Sequence, residues 1–213
     1  MRVLLADDHQ ILRQGLRTLL EREPDVRVVG EATDGREAVA QAAALRPDVV
    51  VMDLSMPGLN GIEATRRIVA AQPKTKVVGL SMHADRQYVR AMFEVGAAGY
   101  LLKNSAYEEL LSALRVVVGG RPFVSPAIAD VVLDALRVGA REAAAAPAEL
   151  TAREREVLQL LAEGHTSKEI AAQMCIALST VETYRRHIMI KLDLHSIAEL
   201  TRYAIRRGLT SVD

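Results

Sequence analysis

The sequence predicts an α/β domain with a doubly wound, five-stranded parallel sheet, followed by a small all-α domain. Three observations support this fold class. Short apolar runs alternate with segments of helical period over about the first 120 residues. The runs are almost fully apolar, which is typical of parallel strands covered on both faces. From Leu150 onward helical patterns continue, but strand-like runs do not.

Each strand of the predicted sheet corresponds to one apolar run. The runs are VLLA (3–6), VRVVG (26–30), DVVVM (48–52), KVVGL (76–80) and GYLL (99–102). Amphipathic stretches such as ILRQGLRTLLERE lie between them and predict the covering helices. A chain of 213 residues exceeds one typical core, so we expect two domains. The predicted boundaries are 1–121 for the α/β domain, 122–148 for a helix and linker, and 149–213 for the helical domain.

Composition narrows the class of protein. The chain has 27 basic and 27 acidic residues, and this balance neither demands nor excludes a nucleic-acid partner. The single cysteine, Cys175, cannot form an internal disulfide and fits a reducing compartment. No apolar run approaches the roughly 20 residues of a membrane span. We therefore expect a cytoplasmic protein with no membrane partner.

Polar side chains stand at the ends of four predicted strands. Asp7 and Asp8 follow the first strand, Asp53 the third, Ser81 the fourth and Lys103 the fifth. The carboxyl ends of parallel strands share one edge of the sheet, where ligands bind in open α/β folds. The sequence thus predicts that these side chains meet in one crevice.

The chemistry of this predicted crevice favours phosphoryl transfer. Three carboxylates repel one another unless a proton or a cation compensates them, and Mg²⁺ prefers such oxygen ligands. Beside the cation, Asp53 can act as a nucleophile on phosphorus. Lys103 then supplies positive charge, and Ser81 a hydroxyl donor, for the phosphoryl oxygens.

Four segments, LLADDH, VVVMDLSMPGLNGIEATRRI, GLSMHAD and GYLLKNS, together resemble the receiver domain of two-component response regulators. The resemblance implies that Asp53 accepts a phosphoryl group from a sensor histidine kinase. It implies that Asp7 and Asp8 hold Mg²⁺ together with Asp53 and the backbone carbonyl of Ser55. It further implies a phosphoryl-contact and switch set consisting of Ser81, Tyr100 and Lys103.

Two other functions stay open for the first domain. One is a constitutive regulator whose receiver-like domain only mediates protein contacts, which the acidic triad with Lys103 disfavours. The other is an aspartyl-phosphate hydrolase, which would carry a second aspartate, as general acid, two residues after the nucleophile. That position is Ser55, so a slow switch is favoured over an enzyme.

Capping boxes mark helix starts in the second domain. TARE (151–154) and TSKE (166–169) each pair a hydroxyl residue with a glutamate three residues later. The helices that they open are followed by STVETYRRHIMIKLDL and IAELTRYAIRRGL, which predict a third and a fourth helix. Two short helices joined by a tight turn, the next one bearing surface bases, suggest a helix-turn-helix.

Residues 149–209 closely resemble the LuxR-type helix-turn-helix, so the whole chain resembles response regulators of the NarL/FixJ class. The resemblance implies double-stranded DNA as a partner, with the third predicted helix in the major groove. Glu182, Thr183 and Arg186 are then placed to reach base edges, where arginine reads guanine. Lys168, Arg185 and Lys191 are better suited to contact phosphates, and such contacts position the protein on DNA without reading its sequence.

The start of the third predicted helix departs from the LuxR-type pattern. Ala177 stands where the family usually has a capping serine. Ser179, Thr180 and Glu182 lie in a possible capping box that would start the helix two residues later. Glu182 would then be bound to the backbone instead of a base, and the sequence leaves both roles open. Ser179 and Thr180 join the candidate DNA-binding set at this position.

The fourth predicted helix carries the candidate dimer contact. We expect a homodimer in the active state, because regulators of this kind read two half-sites. The expected contact residues are Ile197, Leu200 and Tyr203, although intradomain packing is an equal alternative for them.

Overall fold

A computed structural model describes residues 1–82, 84–105, 107–130, 132 and 150–210 of the chain. These residues form two compact units, one N-terminal and one C-terminal. Each unit has a hydrophobic core of its own, as the two-domain prediction requires. Of the helix and linker predicted over 122–148, residues 122–130 and 132 are described, and the rest lies outside the described residues.

The N-terminal unit is built on a parallel sheet. Its strands run in the order β2-β1-β3-β4-β5-β6. All adjacent pairs are parallel. The strands are β1 Arg2–Ala6, β2 Arg27–Ala32, β3 Val49–Asp53, β4 Lys76–Ser81, β5 Gly99–Leu102 and β6 Phe123–Val124.

The prediction of five strands is one strand short. The additional strand, β6, has only two residues and pairs with Gly99 and Tyr100 of β5. Two residues are too few to show the alternation of apolar and polar residues that marks a strand, and Pro122 and Pro126 on either side are typical of a loop. Just beyond it, Pro126–Ile128 forms a 3₁₀ turn that buries Ile128 completely in the core.

In the described part of this unit, five α-helices cover the sheet: α1 Gln10–Leu20, α2 Gly35–Leu45, α3 Gly61–Ala71, α4 Arg86–Glu94 and α5 Tyr107–Val118. One core cluster joins α2, α3 and α4 to one face of the sheet, and a second joins α1 and α5 to the other. In β3, Val50 and Met52 belong to the first cluster, whereas Val49 and Val51 belong to the second. Burial on both faces therefore explains why the strands are apolar throughout.

Within the described residues, the C-terminal unit contains four helices: α6 Ala152–Ala162, α7 Ser167–Met174, α8 Leu178–Leu192 and α9 Ile197–Arg206. Both predicted capping boxes are confirmed, with Thr151 and Thr166 as the N-cap residues of α6 and α7. A third box, formed by Ser196 and Glu199, starts α9. One apolar cluster joins residues of all four helices and fixes α8 against the others.

Candidate functional site

The carboxyl ends of neighbouring strands bring three of the predicted side chains into contact. Asp7 directly follows β1, Asp53 ends β3 and Lys103 directly follows β5. The Lys103 ammonium nitrogen lies 2.8 Å from Oδ2 of Asp53 and 2.9 Å from Oδ2 of Asp7. Asp7 and Asp53 are both buried, and the Lys103 side chain is only 6% exposed. Lys103 therefore bridges the two carboxylates inside the predicted crevice.

Asp8 and His9 form the outer rim of the same crevice. Nδ1 of His9 lies 2.9 Å from Oδ1 of Asp8 and 3.2 Å from Oδ1 of Asp7. Ligand atoms of these three residues and Asp53 lie within 4.8 Å of one another. His9 was missed in the sequence analysis. Its position next to the Asp7-Asp8 pair is the signal that points to it.

The electrostatics of the crevice favour a bound cation. Burial raises the pKa of Asp53, and the charge of Asp7 adds to this effect, while Lys103 opposes it. Burial alone would lower the pKa of Lys103, but its bonds to Asp53 and Asp7 outweigh burial and raise it. The raised pKa of Asp53 is thus mainly an effect of burial, whereas that of Lys103 reflects the two carboxylates it contacts. The oxygen-rich donor set is of the kind that holds Mg²⁺.

Ser81 and Tyr100 form the inner wall next to this crevice. Ser81 ends β4 and is buried, and Tyr100 in β5 has no exposed surface. Their side chains are hydrogen-bonded to each other, and burial raises the pKa of the Tyr100 phenol above its ordinary value. The backbone N–H of Lys103 donates to the carbonyl oxygen of Ser81 at 2.7 Å. The three predicted switch residues are thus directly linked.

The loop after β3 determines how Asp53 is presented. The backbone N–H of Ser55 donates to Oδ1 of Asp53 at 3.2 Å, and Ser55 itself is exposed. The loop returns to the strand at Gly61, whose N–H donates to the carbonyl oxygen of Leu54 at 3.0 Å. A Cβ atom on Gly61 would lie 2.0 Å from the carbonyl oxygen of Asp53. Only glycine therefore fits at this close approach.

Helices α7 and α8 of the C-terminal unit form the predicted helix-turn-helix. The turn passes through Cys175, which has a left-handed backbone with φ 54°. Helix α8 begins at Leu178, and its N-cap residue Ala177 makes no side-chain cap hydrogen bond. The alternative start at Ser179 is therefore wrong. Ser179 lies inside the first turn, where it is exposed, and Thr180 beside it is half-buried.

Glu182 is free of the capping role that the sequence left open. Its carboxylate lies 3.4 Å from Nη1 of Arg185. A hydrogen bond with Ser167 and the charge of Arg185 lower the pKa of Glu182. Nη1 of Arg185 in turn donates to Oγ of Ser167 at 2.9 Å. Glu182 and Arg185 thus belong to a small polar network that joins α8 to the start of α7.

The remaining candidate DNA-binding residues differ in whether their side chains are available for DNA. Thr183, Arg186 and Lys168 are exposed. Lys191 instead lies 2.7 Å from Oε2 of Glu154, a carboxylate whose side chain is 3% exposed. The geometry therefore gives Lys191 a bond within the unit and does not support its predicted contact with phosphate.

The three predicted dimer residues on α9 differ in how exposed they are. Leu200 has no exposed surface and belongs to the core of the C-terminal unit, so its prediction as a dimer contact is wrong. Tyr203 is half-buried against the same core. Ile197 is 50% exposed. Of the three, only Ile197 offers a large free apolar surface.

Comparison with known proteins decides the family. The family model of the response regulator receiver domain matches residues 3–115, and that of the bacterial regulatory proteins of the luxR family matches residues 148–204. The chain is a two-component response regulator. The regulator is 42% identical over 212 residues to the transcriptional regulatory protein LiaR of Bacillus subtilis (strain 168), which covers 99% of this chain and 100% of LiaR.

Solved structures of RcsB resemble the regulator along most of its length. RcsB from Salmonella enterica serovar Typhimurium, bound to promoter rprA with the phosphomimetic BeF3−, gives a TM-score of 0.60 at 27% identity, covering 95% of this chain and 97% of RcsB. A structure of two RcsB dimers on two parallel DNAs gives a TM-score of 0.60 at 28% identity, covering 97% and 98%. The regulator thus belongs to a family of DNA-binding transcriptional regulators.

A search of the described residues for membrane-spanning segments gave a negative result. None of their helices is both long enough and apolar enough to cross a bilayer.

Proposed function

We propose that Asp53 is the phosphoacceptor of this response regulator and that its phosphorylation controls DNA binding by the C-terminal unit. The observation that carries the proposal is the placement of Asp53, buried at the end of β3 with Lys103 at 2.8 Å and the acidic pair Asp7 and Asp8 beside it. A carboxylate fixed in this way is presented to an incoming phosphorus atom without rearrangement of the strand.

The chain's own residues divide the work of the transfer. An oxygen of Asp53 attacks the phosphorus of a phosphohistidine on a sensor histidine kinase, so that a P–O bond forms as the P–N bond breaks. Lys103 already contacts Asp53 and would balance charge on the phosphoryl oxygens. Asp7, Asp8, Asp53 and the Ser55 carbonyl would hold Mg²⁺, which supplies further positive charge for these oxygens.

The output follows from the link between Ser81 and Tyr100. Ser81 stands beside the site, and its hydrogen-bonded partner Tyr100 is buried in the adjacent strand. A phosphoryl group adds nearly two negative charges and three acceptor oxygens, and it would compete for the Ser81 hydroxyl. The contact between Ser81 and Tyr100 is therefore the route by which phosphorylation changes the surface of the N-terminal unit.

DNA binding is assigned to α8, and the active form to a homodimer. Thr183 and Arg186 are exposed on this helix for base contacts, Glu182 lies next to them, and Lys168 in α7 is placed for a phosphate. RcsB, which shares the architecture, has been solved as dimers on DNA. On α9 we retain the exposed Ile197 as the dimer contact, with the half-buried Tyr203 as a second candidate. The proposed site of action is the cytoplasm, where the kinase and DNA are both accessible.

A single comparison tests the proposal. The wild type and Asp53→Asn are incubated with a small phosphodonor and Mg²⁺, and DNA binding is measured by fluorescence anisotropy. We expect a stable phosphoprotein, and tighter DNA binding, for the wild type only. If DNA binding is the same in both proteins with and without the phosphodonor, the regulator acts constitutively and the proposal is wrong.

A further inference from the structure

Ile190 is a large apolar residue that the core of the C-terminal unit does not use. Its exposed fraction is 70%, the largest among the exposed large hydrophobic residues of the described part of this unit, which are Leu178, Ile190 and Ile197. Single exposed isoleucines are common and need no explanation by themselves. The position of Ile190 on α8 is what gives this exposure a meaning.

Ile190 lies on the face of α8 that is opposite the core. It is nine residues beyond the buried Val181, which at 3.6 residues per turn corresponds to a rotation of about 180°. It is four residues after Arg186 and seven after Thr183, and residues at these spacings share one helix face. Thr183, Arg186 and Ile190, here called the outer stripe, therefore point away from the core together.

The outer stripe presents one cation between two groups that are largely apolar. Arg186 is exposed and makes no hydrogen bond or ion pair with the other residues that the structure describes. The hydroxyl of Thr183 donates to the carbonyl oxygen of Ser179 at 2.9 Å, so its proton is used within the helix. What remains of the stripe for a ligand is a free guanidinium with apolar groups on either side of it.

We propose that Ile190 contacts the methyl group of a thymine in the major groove, next to the base that Arg186 reads. This inference rests on the proposed role of α8 in DNA binding. Thymine carries the only methyl group on the base edges of the unmodified major groove, whereas phosphates have no apolar group for an isoleucine to contact. Four helical residues span about 6 Å, which corresponds to roughly two base-pair steps. The expected site therefore contains a guanine and a thymine about two base pairs apart.

The test begins with the full-length protein, a small phosphodonor and Mg²⁺. Sequences are selected from random double-stranded DNA with the wild type, Ile190→Ala and Arg186→Ala. In the best wild-type site, each thymine is then replaced singly by deoxyuridine, which removes only the methyl group. Affinities are measured for the wild type, Ile190→Ala and the control Ile11→Ala, which truncates another exposed isoleucine, in the N-terminal unit.

One thymine should be sensitive to the loss of its methyl group. We expect its replacement by deoxyuridine to weaken wild-type binding about fourfold, the value of one buried methyl group. Ile190→Ala should bind both DNAs equally, while Ile11→Ala should behave like the wild type. Because the change to deoxyuridine is made in the DNA, a folding defect cannot imitate this pattern. Melting curves of both variants should coincide with that of the wild type, since both side chains are exposed.

Three results would overturn the inference. Ile190→Ala could lose affinity equally for all sequences, which would place Ile190 at a protein contact between copies. Alternatively, Ile190→Ala could retain the full sensitivity to deoxyuridine, which would assign the methyl contact to another residue. If the wild type enriches a site that depends on Arg186, either result excludes the contact between Ile190 and thymine, but the proposed function of α8 still stands. If the wild type enriches no sequence at all, the proposed function of α8 fails with it.

Discussion

The ammonium nitrogen of Lys191, near the end of α8, lies 2.7 Å from Oε2 of Glu154, in the first turn of α6. The same carboxylate oxygen accepts the N–H of Thr151 at 2.7 Å and so completes the capping box of α6. The Glu154 side chain is 3% exposed. One ion pair therefore anchors α8, the helix that we propose to bind DNA, to the first turn of α6.

Replacing Lys191 should destabilise the C-terminal unit. Lys191→Met leaves the buried Glu154 carboxylate without its cation, and we expect the free energy of unfolding to fall by about 1–3 kcal/mol. Urea unfolding of the full-length protein, followed by circular dichroism, measures this change. The exposed Lys168, as Lys168→Met, is the control and should shift stability by less than about 0.5 kcal/mol. An unchanged urea midpoint for Lys191→Met would instead favour a phosphate contact.

Glu154 should also contribute to acid sensitivity. Burial would raise its pKa, but hydrogen bonds from Lys191 and Thr151 outweigh burial and lower it. A carboxylate with a lowered pKa in the folded state adds stability above its unfolded pKa and loses it as the pH falls through the folded value. Glu154→Gln should therefore reduce stability at neutral pH and flatten its decline below about pH 4.5. Glu108→Gln, at an exposed glutamate, should keep the wild-type profile.

Arg186 and Lys168 should affect DNA binding in different ways. Arg186→Ala should cost about 1–3 kcal/mol at the preferred site and relax base preference at one position, because a bidentate guanine contact is lost. Lys168→Ala should weaken binding equally for all sequences and reduce the slope of log affinity against log salt by about one. Competition anisotropy over a salt series measures both effects. Equal losses on all sequences for Arg186→Ala would contradict its role as a base reader.

Gly61 should tolerate no side chain. Gly61→Ala places a Cβ atom 2.0 Å from the carbonyl oxygen of Asp53, and the backbone of β3 cannot yield without moving the site. We expect a loss of about 1–3 kcal/mol in stability and a lower rate of phosphorylation by a small phosphodonor. Gly15→Ala is the matched control, since nothing lies within 4 Å of its Cβ position. It should stabilise α1 by about 0.5–1 kcal/mol and leave phosphorylation unchanged.

Asp8 should bind Mg²⁺ without supporting the fold. Its side chain is 32% exposed and it lies in a cluster of carboxylates that repel one another, so Asp8→Asn should not lower the melting temperature without Mg²⁺. The loss of a ligand charge should lower the affinity for Mg²⁺ by at least about tenfold. Isothermal titration calorimetry of the full-length protein measures the affinity, with the exposed Asp85→Asn as the control. Wild-type affinity in Asp8→Asn would remove Asp8 from the metal site.

The crevice was predictable because local rules determine it. Apolar runs reveal parallel strands, and parallel strands bring their carboxyl ends together, so Asp7, Asp53 and Lys103 could be placed near one another from sequence alone. The capping boxes at Thr151 and Thr166 are likewise local patterns. The domain boundaries at 121 and 149 remain predictions.

Long-range packing was beyond the reach of the sequence. No local sequence pattern links Lys191 to Glu154. A helix face with basic residues has the same sequence pattern whether its lysine contacts DNA or a buried carboxylate. Leu200 shows the same ambiguity, because an apolar stripe predicts burial without identifying the partner. The sequence left two starts of α8 open, because Ser179 is a better capping residue than Ala177; in the structure Ala177 is the N-cap residue, against that local preference.

The two-residue strand β6 has a consequence for how copies of this chain can associate. An open sheet normally ends in unpaired backbone groups, to which another chain can add a strand. Here β6 covers the edge of β5, and prolines on both sides leave little backbone able to extend the ladder. At the opposite edge, the pairing of β1 with β2 is irregular between Val3 and Leu4. Continuous sheets across subunits are thus disfavoured, and self-association has to use side-chain surfaces, which a modification can remodel.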